Sequence, residues 1–290
     1  MYYLIANPTA GRGRSKNSIP SVQEFFIKNN LELKTFITNA PKHATELANS
    51  LEDNATIIAL GGDGTVHEVA TAIVNTNKTM GIIPAGSGDD LAFALDIPRN
   101  NIQAALTIIK NNKSKFIDTG QVNGETFVNS FGVGFDADVA YNIVNAPKFL
   151  KEKSAYLYAI FATLGKLKNI AVKVEVDDQV VFNDKSLLVS IQNGPRTGGS
   201  FLFAPEAKVD SGSFQVLIAA NIKRHEVPFI LPKLINGKHL SNPKISIYNG
   251  KNISLSWQKE RPGHMEGEMF AASSKFDITI LPRSLKVISP

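Results

Sequence analysis

Short apolar stretches alternate with helix-like stretches through the first part of the chain, and this alternation limits the possible folds more than any other feature. The predicted strands are Tyr2 to Ala6, Leu33 to Thr38, Thr56 to Leu60 and Met80 to Pro84. The predicted helices are Ser21 to Lys28, His43 to Leu51, Val66 to Val74, Asp89 to Ala94 and Ile102 to Lys110. Strands that alternate with helices form a parallel sheet with helices on its faces. The sequence therefore predicts an N-terminal α/β domain.

The pattern changes after about Lys115, where short strands separated by turns replace the alternation. The predicted strands are Phe116 to Thr119, Thr126 to Ser130, Val172 to Val176, Val180 to Phe182, Leu187 to Ile191, Phe214 to Ala219, Lys244 to Tyr248, Ile253 to Trp257, Phe276 to Leu281 and Leu285 to Ile288. Helices interrupt them near Ala155 to Lys168 and His225 to Ile235. Many strands at this spacing indicate a sandwich or barrel-like β domain. We predict domains at residues 1–120 and 121–290; the last strands could return to the first domain.

Composition excludes several classes of protein. The 290 residues are 43% hydrophobic and 20% charged, contain no cysteine and carry a net charge of +5. No run approaches the roughly 18 apolar residues that span a bilayer, and disulfides and thiolate metal sites are excluded. A cytoplasmic location fits these features. The positive charge suits an anionic partner or only solubility. The histidine spacing does not favour zinc, and no arginine-rich arm supports nucleic-acid binding.

A glycine-rich turn at Gly61-Gly62-Asp63-Gly64-Thr65 joins a predicted buried strand to a predicted helix. Glycine lets the backbone approach an anion closely, and the free N–H groups at the start of a helix point towards it. The turn matches neither the Walker A motif nor the dinucleotide fingerprint. It therefore predicts a phosphate site of a different kind.

Two further small-residue loops follow predicted strands. They are Asn7-Pro8-Thr9-Ala10-Gly11-Arg12-Gly13 and Ala85-Gly86-Ser87-Gly88-Asp89-Asp90. Ligands of such sheets bind beyond the carboxyl ends of the strands, so these loops, Thr38 and Gly62 are expected to meet at one edge. Glu68 either orients a loop, binds a ribose hydroxyl or is a solvated charge. One of the two aspartates is expected to cap the following helix.

These motifs carry a family resemblance. Asn-Pro-x-x-Gly, then Gly-Gly-Asp-Gly-Thr, then Pro-x-Gly-Ser-x-Asp-Asp, followed by Met265-Glu266-Gly267-Glu268, resembles the diacylglycerol kinase catalytic family. This group includes bacterial lipid kinases, sphingosine kinases and ceramide kinases, and it is more distantly related to NAD kinases. The resemblance implies an N-terminal α/β nucleotide-binding domain, a C-terminal β-sandwich-like domain and a site in the cleft between them.

The resemblance also implies ATP- and Mg²⁺-dependent transfer of the γ-phosphate to a lipid hydroxyl, with diacylglycerol as the expected substrate. It assigns Glu268 as the general base and Asp63 as a catalytic carboxylate that acts through Mg²⁺. The implied nucleotide-binding residues are Asn7, Pro8, Gly11, Thr38, Gly61, Gly62, Asp63, Gly64, Thr65, Glu68, Gly86 and Ser87. A second metal is implied at Lys208, Asp210 and Ser213, or this segment is a plain hairpin turn.

Two departures from the family pattern keep alternatives open. Ser211 and Glu266 stand where many members have Asp, so a catalytically weak nucleotide- or lipid-binding homologue is one alternative, and an NAD kinase-like enzyme is another. Peripheral contact with the inner face of the membrane is expected, and a homodimer is left open.

Two segments are candidates for the lipid side of the site. The segment Ala155 to Ala162, with Phe149 and Leu150 before it, is either a membrane-facing or a core helix. Its flanking lysines are Lys148, Lys151, Lys153, Lys166 and Lys168. The segment Pro195 to Phe201 is either a mobile loop near a lipid entrance or a long hairpin connection.

Overall fold

The computed structural model describes residues 1–144, 147, 150, 152–165 and 167–290. It divides into two compact units, one of Met1–Thr119 with Leu281–Pro290 and one of Gly120–Ile280. Within the described ranges, no helix is long and apolar enough to cross a membrane. The expected membrane-facing residues Lys148, Phe149, Lys151 and Lys166 lie outside the described residues.

The first unit is an α/β domain, as the alternation predicts. Its elements are β1 (Tyr2–Ala6), α1 (Arg14–Lys28), β2 (Leu33–Ile37), α2 (His43–Ser50), β3 (Thr56–Gly61), α3 (Asp63–Ile73), β4 (Thr79–Pro84), α4 (Asp90–Ala94), α5 (Ile102–Asn111) and the start of β5 (Ser114–Val122). Helix α1 begins well before the predicted start at Ser21 and contains Pro20. Its polar first turns lack the apolar spacing that identifies a helix in sequence.

The sheet of this unit is parallel, in the order β2-β1-β3-β4. Lys286 and Val287 near the end of the chain pair with Thr79 and Met80 and extend the sheet beyond β4. The chain adds β2 on one side of β1, and β3 and then β4 on the other side. The carboxyl ends of β1 and β3 are therefore the switch point of the strand order, where ligands of such sheets bind. Strand residues such as Ile5 and Ile58 are fully buried.

The second unit is rich in antiparallel strands. Its elements are the end of β5, β6 (Glu125–Phe127), β7 (Ser130–Gly134), α6 (Phe135–Val144), α7 (Glu152–Leu164), β8 (Ile170–Val176), β9 (Gln179–Gln192), β10 (Phe214–Ala220), α8 (Val227–Ile235), β11 (Ile245–Gly250), β12 (Asn252–Met265) and β13 (Glu268–Ile288), whose last residues lie in the first unit.

The long strands β9 and β12 each pair with β8 through one half and with β7 through the other. This cross-pairing folds the sheet into a sandwich-like layer pair around an aromatic core. Fully buried members of the core include Phe127, Phe131, Phe214 and Phe276.

Several predictions for this unit were wrong in detail. The strand predicted at Thr126 to Ser130 is two strands, β6 and β7. The strands predicted at Val180 to Phe182 and Leu187 to Ile191 are one strand, because the backbone of the polar residues between them still pairs with β8. The C-terminal strands predicted at Phe276 to Leu281 and Leu285 to Ile288 are likewise parts of β13. Helix α6 was missed, since it follows β7 directly at Gly134, whose φ is 119°.

Candidate active site

Backbone hydrogen bonds bring the predicted loops of the first unit to one edge of the sheet. The N–H of Asn7, just after β1, donates to the carbonyl of Leu60 in β3 at 3.0 Å. The N–H of Ala85, just after β4, donates to the carbonyl of Gly61 at 2.7 Å. The N–H of Thr38, just after β2, donates to the carbonyl of Ala6 at 2.9 Å. The loops that follow all four strands therefore start side by side.

Glycines let these loops touch through their backbones. A Cβ atom on Gly86 would lie 2.4 Å from the Cα of Gly62, and one on Gly11 would lie 1.9 Å from the carbonyl oxygen of Ala85. Gly11 also has a φ of 56°, which disfavours a side chain. A Cβ atom on Gly61 would lie 2.4 Å from the Oγ1 of Thr65. The result is a cradle lined by backbone, with no room for added side chains at these positions.

Helix α3 begins at this cradle. Its N-cap is Gly62 and no side chain caps it within the described part of the chain. Uncapped N–H groups at a helix start, together with the helix dipole, favour an anion. Gly64 lies in the first turn and Thr65 is buried beneath it. The local chemistry therefore fits a phosphate group, as the glycine pattern predicts.

The carboxylate of Asp63 holds the loop that follows β4 (Ala85 to Asp90) against the glycine-rich turn at the start of α3. Its Oδ2 accepts the N–H of Asp89 at 2.8 Å and its Oδ1 accepts the N–H of Asp90 at 2.6 Å. A Cβ atom on Gly88 would lie 2.2 Å from the same Oδ2, so Gly88 makes room for this contact. Asp63 thus has a positioning role that sequence reasoning did not anticipate.

Asp89 is a buried carboxylate within the cradle. Its Oδ1 accepts the N–H of Gly86 at 2.9 Å, and Arg99 Nε lies 3.3 Å from its Oδ2. Burial and then the nearby charge of Asp63 raise the pKa of Asp89 above its usual value, while the Gly86 N–H and Arg99 oppose that rise. Asp89 occupies the N-cap position of α4, as expected for one of the two aspartates, but its side chain makes no capping bond there and instead holds the loop.

Two arginines that sequence reasoning missed donate to carbonyl groups of the loop that follows β4. Arg14 Nη2 donates to the carbonyl of Gly86 at 2.6 Å, and Arg99 Nη2 donates to the carbonyl of Ser87 at 2.5 Å. They place positive charge beside the cradle. A signal existed for Arg14, which directly follows the first glycine-rich loop.

The remaining predicted nucleotide-binding residues organise the surrounding loops. Asn7 Oδ1 accepts the N–H and the hydroxyl of Thr9, at 3.1 and 2.8 Å, across Pro8. Glu68 accepts the N–H groups of Lys42 and Ala44 at 3.0 Å each and so caps the start of α2. The carboxylate of Glu68 therefore has defined backbone partners and is not merely a solvated charge.

The predicted catalytic residue of the second unit lies beside a two-residue hairpin turn. Glu266 and Gly267, with φ of 53° and 83°, form this turn between β12 and β13, and Met265 pairs with Glu268. Positive φ at both positions is type I′ geometry. Glu268 is exposed, and within the described ranges no side-chain hydrogen bond or ion pair engages its carboxylate.

Glu266 anchors this hairpin. Its Oε1 accepts the N–H groups of Val128, Asn129 and Ser130 at 2.8, 2.6 and 3.4 Å. The longer side chain of Glu, where the family pattern has Asp, reaches this row of donors. The charge of Glu266 therefore has a structural role despite the extra methylene group.

A buried histidine–aspartate pair lies next to the hairpin strand. His264 Nε2 is 3.0 Å from Asp136 Oδ2, and both side chains are almost completely buried. A Cβ atom on Gly132 would lie 2.1 Å from Asp136 Oδ2, so this glycine makes room for the pair. The pair connects the start of α6 to β12, and proximity in sequence gave no indication of it.

The turn predicted to bind a second metal is closed by its own hydrogen bonds. The N–H of Ser211 donates to the carbonyl of Lys208 at 3.1 Å, and the hydroxyl of Ser211 donates to the carbonyl of Ser213 at 2.9 Å. Asp210 supplies the one carboxylate of the turn. No group of three or more acidic, His or Cys side chains suited to a metal occurs among the described residues.

The second unit also contains an apolar pocket with about 670 Å³ of empty space, including its open mouth. Its walls include Leu188, Phe203, Leu217, Ile230, Leu234 and Ile245. Among the described residues of the lining, the polar side chains are Asp136 and His239. His239 is fully buried, its Nε2 lies 3.0 Å from the carbonyl of Phe203, and burial lowers its pKa. Because a carbonyl only accepts, Nε2 carries the proton and the neutral ring presents Nδ1 as an acceptor.

The segments considered for lipid contact differ in structure. In α7, Ala159 and Ile160 are buried while Tyr158 and Phe161 are exposed. The segment Pro195 to Phe201 is a closed hairpin, in which Thr197 and Phe201 exchange backbone hydrogen bonds of 2.9 and 3.2 Å.

Comparison with known proteins agrees with this geometry. Residues 1–122 match the family model of the diacylglycerol kinase catalytic domain. Residues 129–289 match the model of the YegS C-terminal NAD kinase beta sandwich-like domain. A diacylglycerol kinase of Staphylococcus saprophyticus is 30% identical, over 91% of this chain and 88% of the relative. A diacylglycerol kinase of Bacillus subtilis is 28% identical, over 99% of this chain and 95% of the relative.

Solved structures share the fold. A diacylglycerol kinase from Bacillus anthracis superposes with a TM-score of 0.74 at 22% identity, covering 100% of this chain and 96% of that one. An NAD kinase from Archaeoglobus fulgidus, solved with ATP, superposes with a TM-score of 0.58 at 13% identity, covering 100% of this chain and 94% of that one. On the two family models and these full-length relatives, the chain belongs to the diacylglycerol kinase catalytic family of lipid kinases.

Proposed function

We propose that this protein transfers the γ-phosphate of ATP to the hydroxyl group of diacylglycerol, or of a related long-chain alcohol. The observation that carries the acceptor assignment is the apolar pocket of the second unit, because such a lining suits an alkyl chain. Phosphatidic acid is the product for diacylglycerol, which places the reaction in phospholipid biosynthesis. We further propose that the enzyme works in the cytoplasm, at the inner face of the membrane.

The donor half of the reaction is assigned to the backbone cradle of the first unit. Gly62 and Gly86 let the backbones of the two loops pack directly against each other, and the start of α3 offers N–H groups to a phosphate there. The arginines beside the loop add positive charge. Asp63 is the residue that would hold Mg²⁺ here, since its carboxylate can accept a hard cation as well as N–H groups. When bound, Mg²⁺ neutralises phosphate charge.

The acceptor half is assigned to Glu268. Its exposed carboxylate stands on a hairpin that Glu266 anchors through three backbone N–H groups. In the proposed step, the lipid hydroxyl oxygen forms a bond to the γ-phosphorus while the bond to the bridging oxygen of ADP breaks. Glu268 takes the proton of the hydroxyl group, and ADP leaves. Lys208, Asp210 and Ser213 remain a predicted second metal site and have no part in this step.

The test is transfer of labelled γ-phosphate from ATP to a panel of lipids in detergent micelles. We expect diacylglycerol to be the preferred acceptor. Glu268→Gln should lower kcat by about 10²- to 10⁴-fold, the range for loss of a general base, without changing ATP affinity. The matched control is Glu260→Gln, which alters an exposed carboxylate on β12 and should leave kcat unchanged. A near-normal rate for Glu268→Gln would exclude it as the base.

Two alternatives predict different results. An NAD kinase-like enzyme would form NADP, but the Glu-Gly-Glu turn and the Pro-Ala-Gly-Ser-Gly-Asp-Asp loop argue against it. A catalytically weak homologue would gain activity in the double variant Ser211→Asp, Glu266→Asp. The anchoring contacts of Glu266 reduce the support for this alternative, and we expect the double variant to show no gain.

A further inference from the structure

Helix α8 is apolar on both of its sides. Val227, Ile230, Leu231 and Leu234 on one side line the pocket of the second unit. On the other side Phe229 is 74% exposed, and Ile235 at the end of the helix is 45% exposed. Pro228 and Pro232 are exposed as well. Exposed apolar residues that are grouped on one helix mark an interaction surface.

Cationic residues lie within α8 and on both sides of it in the sequence. Lys233 is in the helix, Lys223 and Arg224 precede it and Lys238 follows it, and all four are exposed. The sequence from Lys223 to Leu240 contains one acidic residue, Glu226. Both carboxylate oxygens of Glu226 accept hydrogen bonds from Lys244 Nζ, at 2.8 and 2.7 Å. The surface therefore combines exposed apolar groups with cations, without an uncompensated acid in that stretch.

We propose that α8 docks on a bilayer that contains anionic lipids. Phe229 and Ile235 enter the headgroup region, while Lys233 and Lys238 contact phosphate groups. This combination of apolar residues and cations is typical of helices that lie in a membrane interface. Since the other side of α8 lines the pocket, docking brings a pocket wall to the source of the lipid substrate. Only this last purpose rests on the proposed function, because vesicle binding requires no phosphoryl transfer.

The experiment is co-sedimentation of the protein with vesicles of equimolar phosphatidylcholine and phosphatidylglycerol, without diacylglycerol. We expect binding to these vesicles and little binding to pure phosphatidylcholine. Phe229→Ser should weaken binding about tenfold, as expected for loss of an inserted aromatic side chain. Lys233→Gln with Lys238→Gln should weaken it about 30-fold, since each lysine near an anionic surface contributes on the order of 1 kcal/mol.

Matched controls in the first unit separate a local effect from a general one. Ile27 is 75% exposed, so Ile27→Ser removes a comparable apolar group from another surface. Lys110→Gln with Lys113→Gln removes the same charge. Both controls should bind the vesicles like the wild type, and all variants should keep the wild-type melting temperature.

Equal vesicle binding by the α8 variants and the wild type would overturn the inference. It would also be overturned if a concentration-dependent dimer, abolished by Phe229→Ser, accounted for the exposed surface. Phosphorylation of a water-soluble short-chain diacylglycerol is measured in parallel. If the wild type binds the vesicles but does not phosphorylate the short-chain diacylglycerol, the proposed function is refuted and the docking surface stands. If the wild type phosphorylates it but the α8 variants bind the vesicles as the wild type does, only the docking surface is refuted.

Discussion

Replacing Asp63 by Asn should loosen the phosphate cradle. Asp63 uses one carboxylate oxygen for the N–H of Asp89, at 2.8 Å, and the other for the N–H of Asp90, at 2.6 Å. An amide has one acceptor oxygen, so its NH₂ group must face one of these N–H donors. The substitution keeps the shape of the side chain but cannot keep both bonds.

The expected cost follows from the bonds that are lost. A hydrogen bond to a charged group contributes about 1.5–3 kcal/mol, and a donor left unsatisfied costs about 1–3 kcal/mol. Part of this loss is offset, because removing the charge of Asp63 also removes a repulsion that helps to raise the pKa of Asp89. We expect the free energy of unfolding to fall by about 2 kcal/mol and the pKa of Asp89 to move down.

Urea unfolding at neutral pH measures the change in stability, and NMR titration follows Asp89. The control is Asp53→Asn, which alters an exposed aspartate in a turn of the same unit and should change the free energy of unfolding by less than about 0.5 kcal/mol. If Asp63→Asn is as stable as Asp53→Asn, Asp63 does not hold the loop. Activity lost without a loss of stability would leave Asp63 only its proposed role toward Mg²⁺.

Three other substitutions test separate parts of the structure. Gly86→Ala should lower both stability and ATP affinity, because the added Cβ meets backbone at 2.4 Å, whereas Gly165→Ala meets nothing closer than 3.7 Å and should be tolerated; urea unfolding and nucleotide titration measure both. Glu266→Ala should lower the free energy of unfolding by about 2–4 kcal/mol, since it leaves backbone donors unpaired, and an unchanged value would contradict the anchoring role. Burial lowers the pKa of His239, so the unfolded chain binds a proton before the folded one as pH falls below about 6.5, and stability decreases there. Urea midpoints measured across pH should show a smaller decrease for His239→Gln than for the wild type, and an equal decrease would contradict this role of His239.

Local patterns explain what could be predicted from the sequence. The strand–turn–helix unit around Gly61 to Thr65 is contiguous, so apolar residues and glycines identify it without knowledge of the rest of the chain. The convergence of the loops after β1 and β4 follows from the general behaviour of parallel sheets. The acidic turn before Glu268 depended on the family resemblance, since a charge on a hairpin has no distinguishing local pattern.

Long-range contacts explain what was missed. The partners of Glu266 are more than 130 residues away in sequence. Arg14 and Arg99 donate to backbone carbonyl groups, which every residue type has, so no side-chain pattern identifies their partners. The His264–Asp136 pair joins positions that are 128 residues apart. The length of β9 is decided by pairing with β8 through polar residues, which local apolar patterns do not reveal.

The most direct test of the central proposal compares two acceptors in one assay. The initial rate of labelled phosphate transfer from ATP is measured with diacylglycerol in micelles and, under the same conditions, with NAD. We expect rapid formation of labelled phosphatidic acid and no labelled NADP. Formation of NADP at the higher rate, or ATP binding without transfer to any lipid, would contradict it.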